Sequence, residues 1–275
     1  MAAQKIRTRD SVAEASVICM GRDSDKNSKS HTLLDWIITP IYIALFVSIL
    51  VIFDPPQRIS TCFSRRLHKW ILELMNICIV LNIRFTTGAR YRVIAKPHLP
   101  KDRSVIIVSN HQSMYDIPMI MWECRDREVG FIAKRELGRW IPSISLSLRR
   151  LGSVLIDRKD AAKAVRQIEE FGRTKEAERQ VAAVFPEGTR ARDGAMRRFK
   201  ATGLKALISN MPSAVIQPVA IRGNWRLLRY GFWPVPYGTS IELEFLQPID
   251  PTGREVGEVI AEVETAITSR VGLGG

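Results

Sequence analysis

Three rhythms of apolar and polar residues follow one another along the chain. Residues 1–32 are polar and charged without periodicity, include "GRDSDKNSKS", and read as a flexible tail rather than a targeting peptide. The character then changes abruptly. "WIITPIYIALFVSILVIF", 36 to 53, runs without a charge; as helix it covers roughly 27 Å, against about 30 Å for the hydrocarbon core of a bilayer. A second apolar stretch, "LHKWILELMNICIVLNI" from Leu67 to Ile83, carries Lys69, Glu73 and Asn76 at helical spacings, which leaves one polar stripe on an otherwise apolar helix. Residues 33–85 are therefore expected to form a membrane-associated helical segment, with Trp36 and Trp70 at headgroup level. Lys26 and Lys29 before the apolar run are matched by Arg58, Arg65, Arg66 and Lys69 after it, so charge does not orient the segment.

After Arg84 the rhythm becomes that of an α/β protein. Short β-rich runs recur at "YRVIA" (91–95), "SVIIVS" (104–109), "VGFIA" (129–133), "GSVLID" (152–157), "VAAVF" (181–185), "VIQPVAI" (215–221) and "IELEFLQ" (241–247). Helical spacing separates several of them, clearest at Ala161, Ala164, Val165 and Ile168, and at Val256, Val259, Ile260, Val263 and Ile267. The pattern predicts, over 86–275, one domain built on a mixed, largely parallel sheet of about seven strands flanked by helices. In such sheets a ligand lies beyond the carboxyl ends of the strands.

Charge narrows the partners. Lys and Arg total 41 against 28 Asp and Glu, giving +13 and a pI near 10.0, which favours polyanions: nucleic acid, anionic lipid or phosphorylated small molecules. No nucleic-acid recognition motif is found, and two apolar segments argue for lipid. Cys19, Cys62, Cys78 and Cys124 are scattered without a C-x-x-C pair, and read as reduced thiols facing a cytosol-like compartment. His31, His68 and His98 form no ligand cluster, so no metal or other cofactor is expected.

Three strand ends carry candidate chemistry. In "SNHQSMYD" (109–116), His111 and Asp116 stand five residues apart. On one continuous helix they would diverge by about 140°. Since "SVIIVS" is a strand and a helix begins between Ser113 and Asp116, His111 sits in the intervening turn, where the carboxylate can fold back to orient the imidazole as a base. Ser113 with Asp116 has capping-box spacing, and Asp116 as the cap accommodates Pro118 better. "FPEGTR" (185–190) follows the "VAAVF" strand: a Pro-Glu-Gly turn brings backbone N–H groups close to a ligand, Thr189 adds a hydroxyl and Arg190 a planar fork for phosphate. "FIAKRELGRWIP" (131–142) places Lys134 and Arg135 at the same edge. A lone His-Asp pair arises readily by chance; three strand ends together point to an active site.

These stretches carry a family resemblance. "NHQSMYD", "AKRELGRWIP", "FPEGTR" and "VIQPVAI", with "GSVLIDR" in register between the second and third, resemble the ordered blocks of the glycerolipid acyltransferases, most closely the 1-acylglycerol-3-phosphate (lysophosphatidate) acyltransferase branch, over about Leu99 to Ile221. The resemblance implies an enzyme whose catalytic domain is 86–275, moving a fatty acyl group from acyl-CoA or acyl carrier protein to the sn-2 hydroxyl of lysophosphatidate to make phosphatidate, with those donors as co-substrates and no cofactor. It implies His111 as general base, Asp116 as its partner, Glu187, Gly188, Thr189 and Arg190 as the acceptor-phosphate block, and Lys134 as an assisting cation. It further implies a membrane protein whose site faces the cytoplasm. A different lysolipid acceptor, such as lyso-ornithine lipid or another lysophospholipid, satisfies the same catalytic blocks. A non-catalytic lipid- or phosphate-binding membrane protein is the remaining alternative, and it has no use for an oriented base. An acyl-enzyme through Ser109 or Ser113 is a further route, unnecessary where Asp116 already accounts for the histidine.

Overall fold

The computed structural model describes residues 32–272, so the expected tail at 1–32 lies almost wholly outside the described residues. Among the described residues the seven predicted runs all become strands of one sheet, β1 (Arg90–Ile94), β2 (Val105–Ser109), β3 (Val129–Lys134), β4 (Val154–Ile156), β5 (Val181–Val184), β6 (Val215–Arg222) and β7 (Ser240–Phe245), in the order β1-β7-β6-β2-β5-β3-β4. From β6 through β4 all neighbours are parallel; β7 runs antiparallel to β6, and β1 follows β7. The carboxyl ends of β2, β3 and β5 therefore share one edge.

The period-2 pattern divides the core. Ile106 and Val108 of β2 face one side, where they pack with α5 (Ala161–Ala177), α6 (Ala201–Ser209) and α7 (Val256–Val271) through Ile168, Leu204 and Val259. Val105 and Ile107 face the other, packing with Ile120 and Cys124 at the end of α3 (Asp116–Glu123). Over α3 lies a second layer, α1 (Leu33–Ser60) and α2 (Arg65–Thr86), whose Tyr42, Leu50, Leu72, Met75 and Ile79 join Tyr115 and Met119 in a third cluster. A short helix α4 (Ile144–Arg150) precedes β4.

The two N-terminal helices are inverted relative to ordinary surface helices. On α1 the polar side chains Asp35, Thr39 and Gln57 are buried, whereas Ile37, Ile41, Leu45, Val51, Ile52 and Ile59 are exposed. Asp35 Oδ1 accepts from the Tyr237 N–H and Thr39 Oγ1 from the Val235 N–H (2.8 Å each), while Asp54 Oδ1 accepts from the Ser143 N–H (2.7 Å) and Gln57 Oε1 from the Ser147 hydroxyl (3.0 Å). On α2 the expected polar stripe turns inward in part: Asn76 is buried, Lys69 and Glu73 pair at 3.5 Å, and Trp70, Leu74 and Phe85 are exposed.

Gly223, just past β6, illustrates how tightly the strand ends are built. Its φ is +78°, and a Cβ there would lie 2.1 Å from the Ser240 carbonyl oxygen of β7. Gly223→Ala combines left-handed strain with a backbone clash and is expected to cost about 3 kcal/mol, lowering the melting temperature by roughly 6–12 °C; a thermal melt checks it.

Candidate active site

β2 delivers His111 two residues past its end, and the turn that follows is closed by a single carboxylate. Asp116, fully buried, is the first residue of α3. Its Oδ2 accepts from His111 Nδ1 (2.7 Å), from the Gln112 N–H (2.7 Å) and from the Ser113 N–H (2.9 Å), and its Oδ1 accepts from Asn224 Nδ2. The sequence-based expectation that Asp116 caps α3 needs correction: Tyr115 holds the N-cap position, and the carboxylate caps the preceding turn instead. A buried carboxylate is stable when its lone pairs are filled, and here four donors fill them.

A carboxylate oxygen can only accept, so Nδ1 carries the proton and Nε2 is left as the basic nitrogen. The ring lies flat on Phe185, centroids 4.2 Å apart at 20° between planes, and keeps 15% of its side-chain surface exposed. It is thus held on one side and open on another. The hydroxyls of Ser109 and Ser113 are buried and engaged elsewhere, Ser109 donating to Asn110 O (3.0 Å) and Ser113 accepting from the Tyr115 N–H (3.3 Å).

Glu187 ties the loop after β5 to this turn. It is buried, with Oε1 accepting from the His111 N–H (2.7 Å) and Oε2 from the Arg197 N–H (2.9 Å), while the Ala191 N–H donates to His111 O (2.8 Å). Sequence reasoning grouped Glu187 with the residues that touch the acceptor phosphate; its oxygens are instead both occupied by main-chain donors, which makes it a brace between loops. Burial pushes its carboxyl above the ordinary glutamate range, an effect that donation from the Arg197 and His111 N–H groups partly offsets.

The rest of the block is exposed and basic. Gly188 turns the loop with φ +69°, and its carbonyl accepts from Arg158. Thr189 and Arg190 are exposed. Arg190 immediately precedes Ala191, whose N–H is bonded to His111 O, so its side chain is rooted one residue from the histidine's main chain. Lys200 approaches the Gly188 turn, its Nζ lying 3.4 Å from where a Gly188 Cβ would sit. Lys134, at the end of β3, stands two strands from β2, roughly 10 Å away; it is exposed and pairs with Glu136 at 3.3 Å. His111, Asp116 and Glu187 are brought into direct contact, Gly188 to Arg190 follow directly in the chain, and Lys134 stands apart, two strands away.

Three contributors escaped the sequence reading. Asn110 bonds Ile221 through both N–H (2.7 Å) and C=O (2.9 Å), extending the β2–β6 pairing past the strand end. Gln112 links Gly194 O (3.1 Å) to the Asn224 N–H (3.0 Å). Asn224 reaches Asp116 across 108 residues, a pairing with no local signal.

Fold and site together define an α/β protein whose strand ends hold an imidazole oriented by a buried carboxylate beside an exposed basic loop. A family model described as acyltransferase matches residues 90–222. The human 1-acyl-sn-glycerol-3-phosphate acyltransferase alpha is 38% identical over 150 residues, covering 54% of this chain and 52% of the relative. A probable 1-acyl-sn-glycerol-3-phosphate acyltransferase of Mycoplasma pneumoniae is 24% identical over 228 residues, 78% of this chain and 81% of that one. The crystal structure of the 1-acyl-sn-glycerophosphate (LPA) acyltransferase PlsC from Thermotoga maritima superposes with a TM-score of 0.71 at 26% identity, covering 86% of this chain and 93% of that one. Over residues 90–222, just under half of its length, the chain therefore resembles the acyltransferases, and it shares its fold with the Thermotoga maritima enzyme. It spans about half the length of curated relatives such as the human one.

Proposed function

We propose that the protein transfers a fatty acyl group from acyl-CoA, or acyl carrier protein, to the sn-2 hydroxyl of lysophosphatidate, forming phosphatidate. The observation that carries this reading is the 2.7 Å bond between His111 Nδ1 and Asp116 Oδ2, which dedicates Nε2 to proton transfer beside a basic loop. The relatives, named for 1-acyl-sn-glycerol-3-phosphate, support the acceptor.

In this reading Nε2 takes the proton of the acceptor hydroxyl as its oxygen attacks the thioester carbonyl. The carbon–sulfur bond of the resulting tetrahedral intermediate then breaks, and the imidazolium returns the proton to the departing thiolate. A positioned base supplies typically 10²- to 10⁴-fold of the acceleration, and holding acceptor and thioester together supplies more. The engaged hydroxyls of Ser109 and Ser113 favour direct transfer over an acyl-enzyme. Arg190 holds the acceptor phosphate, Gly188 and Thr189 shape the turn that presents it, and Lys134 adds positive potential at the rim.

The exposed apolar faces of α1 and α2 support membrane attachment at 33–85, with 86–275 as the catalytic domain. Because the polar residues of α1 are bonded to the body from Asp35 to Gln57, attachment in the plane of one leaflet is favoured over a free crossing. The net charge of +13 suits an anionic surface. Cys62, Cys78 and Cys124 are free thiols, which fits a site on the cytoplasmic side.

Purified protein given oleoyl-CoA and lysophosphatidate is expected to release CoA and yield phosphatidate by mass spectrometry; phosphatidate absent, with another lysolipid in an acceptor panel acylated instead, would reassign the acceptor. Arg190→Ala is expected to raise KM for lysophosphatidate about 10- to 100-fold with kcat changed much less, as loss of a charge-assisted phosphate contact predicts. An unchanged KM would mean that the phosphate is held elsewhere.

A further inference from the structure

The loop after β6 adds a side chain to the His-Asp pair that lies outside both the strand-end motifs and the matched family segment. Asn224 is fully buried, its N–H donates to Gln112 Oε1 (3.0 Å), and its Nδ2 donates to Asp116 Oδ1. Its own Oδ1 is buried without a hydrogen-bond partner among the described residues. The amide has no freedom to turn over, because its oxygen would then confront the carboxylate. An orphaned buried carbonyl costs free energy that an apolar residue of the same size avoids. What the amide does at Asp116 must offset that cost.

We propose that Asn224 is a positioning residue for the reaction, a neutral donor that fixes Asp116 Oδ1 and keeps Oδ2 trained on His111 Nδ1. The inference rests on reading His111 as the base. Asp116 must stay in register with the imidazole while accepting three bonds on Oδ2; a fourth, from Nδ2 on the opposite oxygen, prevents rotation about the carboxylate axis. It also draws charge from the carboxylate, so that the imidazole is oriented without being made too basic to release its proton to the leaving thiolate. Of the other charged groups among the described residues, Glu187 feels the charge of both His111 and Asp116, while Tyr115, bonded to Tyr42 of α1, borders the pair on the helix side. All are retained in the variants below.

The test is the pH dependence of kcat/KM in the full chain, with oleoyl-CoA and lysophosphatidate. Removing the donor concentrates charge on Asp116 and favours the imidazolium, so in Asn224→Leu the acid-side midpoint is expected to rise by about half a pH unit or more. The loosened carboxylate is expected to lower kcat about 10- to 100-fold. KM for the acceptor stays within about twofold, since the phosphate contacts are untouched. A folded Asn224→Leu with wild-type midpoint and kcat overturns the proposal. If that variant does not fold, Asn224→Ala and Asn224→Ser are read by the same criterion. Turnover at the unaltered rate in a parallel His111→Ala sample would defeat the base assignment itself; a His111→Ala slowed about 10³-fold beside an unmoved Asn224→Leu midpoint defeats this inference alone.

Discussion

His111→Ala is expected to lower kcat about 10³-fold or more, with a melting temperature close to that of the unaltered protein. The rate effect follows from the single nitrogen left free by the Asp116 bond: without it the acceptor hydroxyl keeps its proton, and an alcohol is a poor nucleophile at neutral pH. Retention of the fold follows from the way the turn is built. Asp116 keeps the Gln112 and Ser113 N–H groups and Asn224 Nδ2 when the imidazole is gone, so the carboxylate remains satisfied. The His111 N–H and C=O still bond Glu187 and Ala191. Loss of activity with loss of structure would indicate that the ring, stacked on Phe185, serves mainly to pack.

Glu187→Ala is expected to damage both stability and turnover. Two main-chain donors, on His111 and Arg197, would lose their acceptor inside the protein. At about 1–3 kcal/mol for each orphaned group, the total is roughly 2–6 kcal/mol. The loop that carries Arg190 would come free of the turn that carries His111, and kcat/KM is expected to fall about 100-fold or more. This residue also gives stability a pH dependence of known sign. Its carboxyl titrates higher in the folded state than in the unfolded chain, so the folded state binds the proton more tightly. Its contribution is fully present below the ordinary glutamate range and is lost as pH rises through the raised folded value. Melting temperatures of the unaltered protein and of Glu187→Gln, measured from acid to neutral pH, are expected to differ in slope over that window, with the decline shallower in the variant.

Much of this arrangement is legible in the sequence because it is local. Alternation in "SVIIVS" places Ile106 and Val108 on one face and Val105 and Ile107 on the other, and the strand-then-turn reading of "NHQSMYD" brings Asp116 back to His111. Resemblance to the acyltransferases through strand-end motifs is readable for the same reason. Strand order is not, because hydrophobic runs do not record their neighbours: nothing in "YRVIA" or "IELEFLQ" says that they pair with each other and that β7 opposes β6. The part played by Glu187 is hidden too. A carboxylate in an exposed basic turn reads as a ligand group until the fold brings the His111 and Arg197 N–H groups to it. Asn224 is further out of reach, since its partner is fixed only once β6 lies beside β2.

The same distinction explains α1. Its apolar run is evident from composition, but the purpose of Asp35, Thr39 and Gln57 within it emerges only when Tyr237, Val235 and Ser147 are found against them. An apolar helix bearing polar residues on its inner face has its solvent side reversed, as a lipid-facing surface requires.

The central claim is that one site joins an oriented base to a grip on the acceptor's phosphate. It is tested most directly by comparing lysophosphatidate with the monoacylglycerol of the same chain length as acceptors, measuring kcat/KM for the unaltered protein, His111→Ala and Arg190→Ala. A preference for lysophosphatidate of about 10²-fold or more is expected, most of it erased by Arg190→Ala, with turnover of both acceptors lowered about 10³-fold or more by His111→Ala. A preference that survives in Arg190→Ala, or acylation of either acceptor by His111→Ala at the unaltered rate, would contradict it.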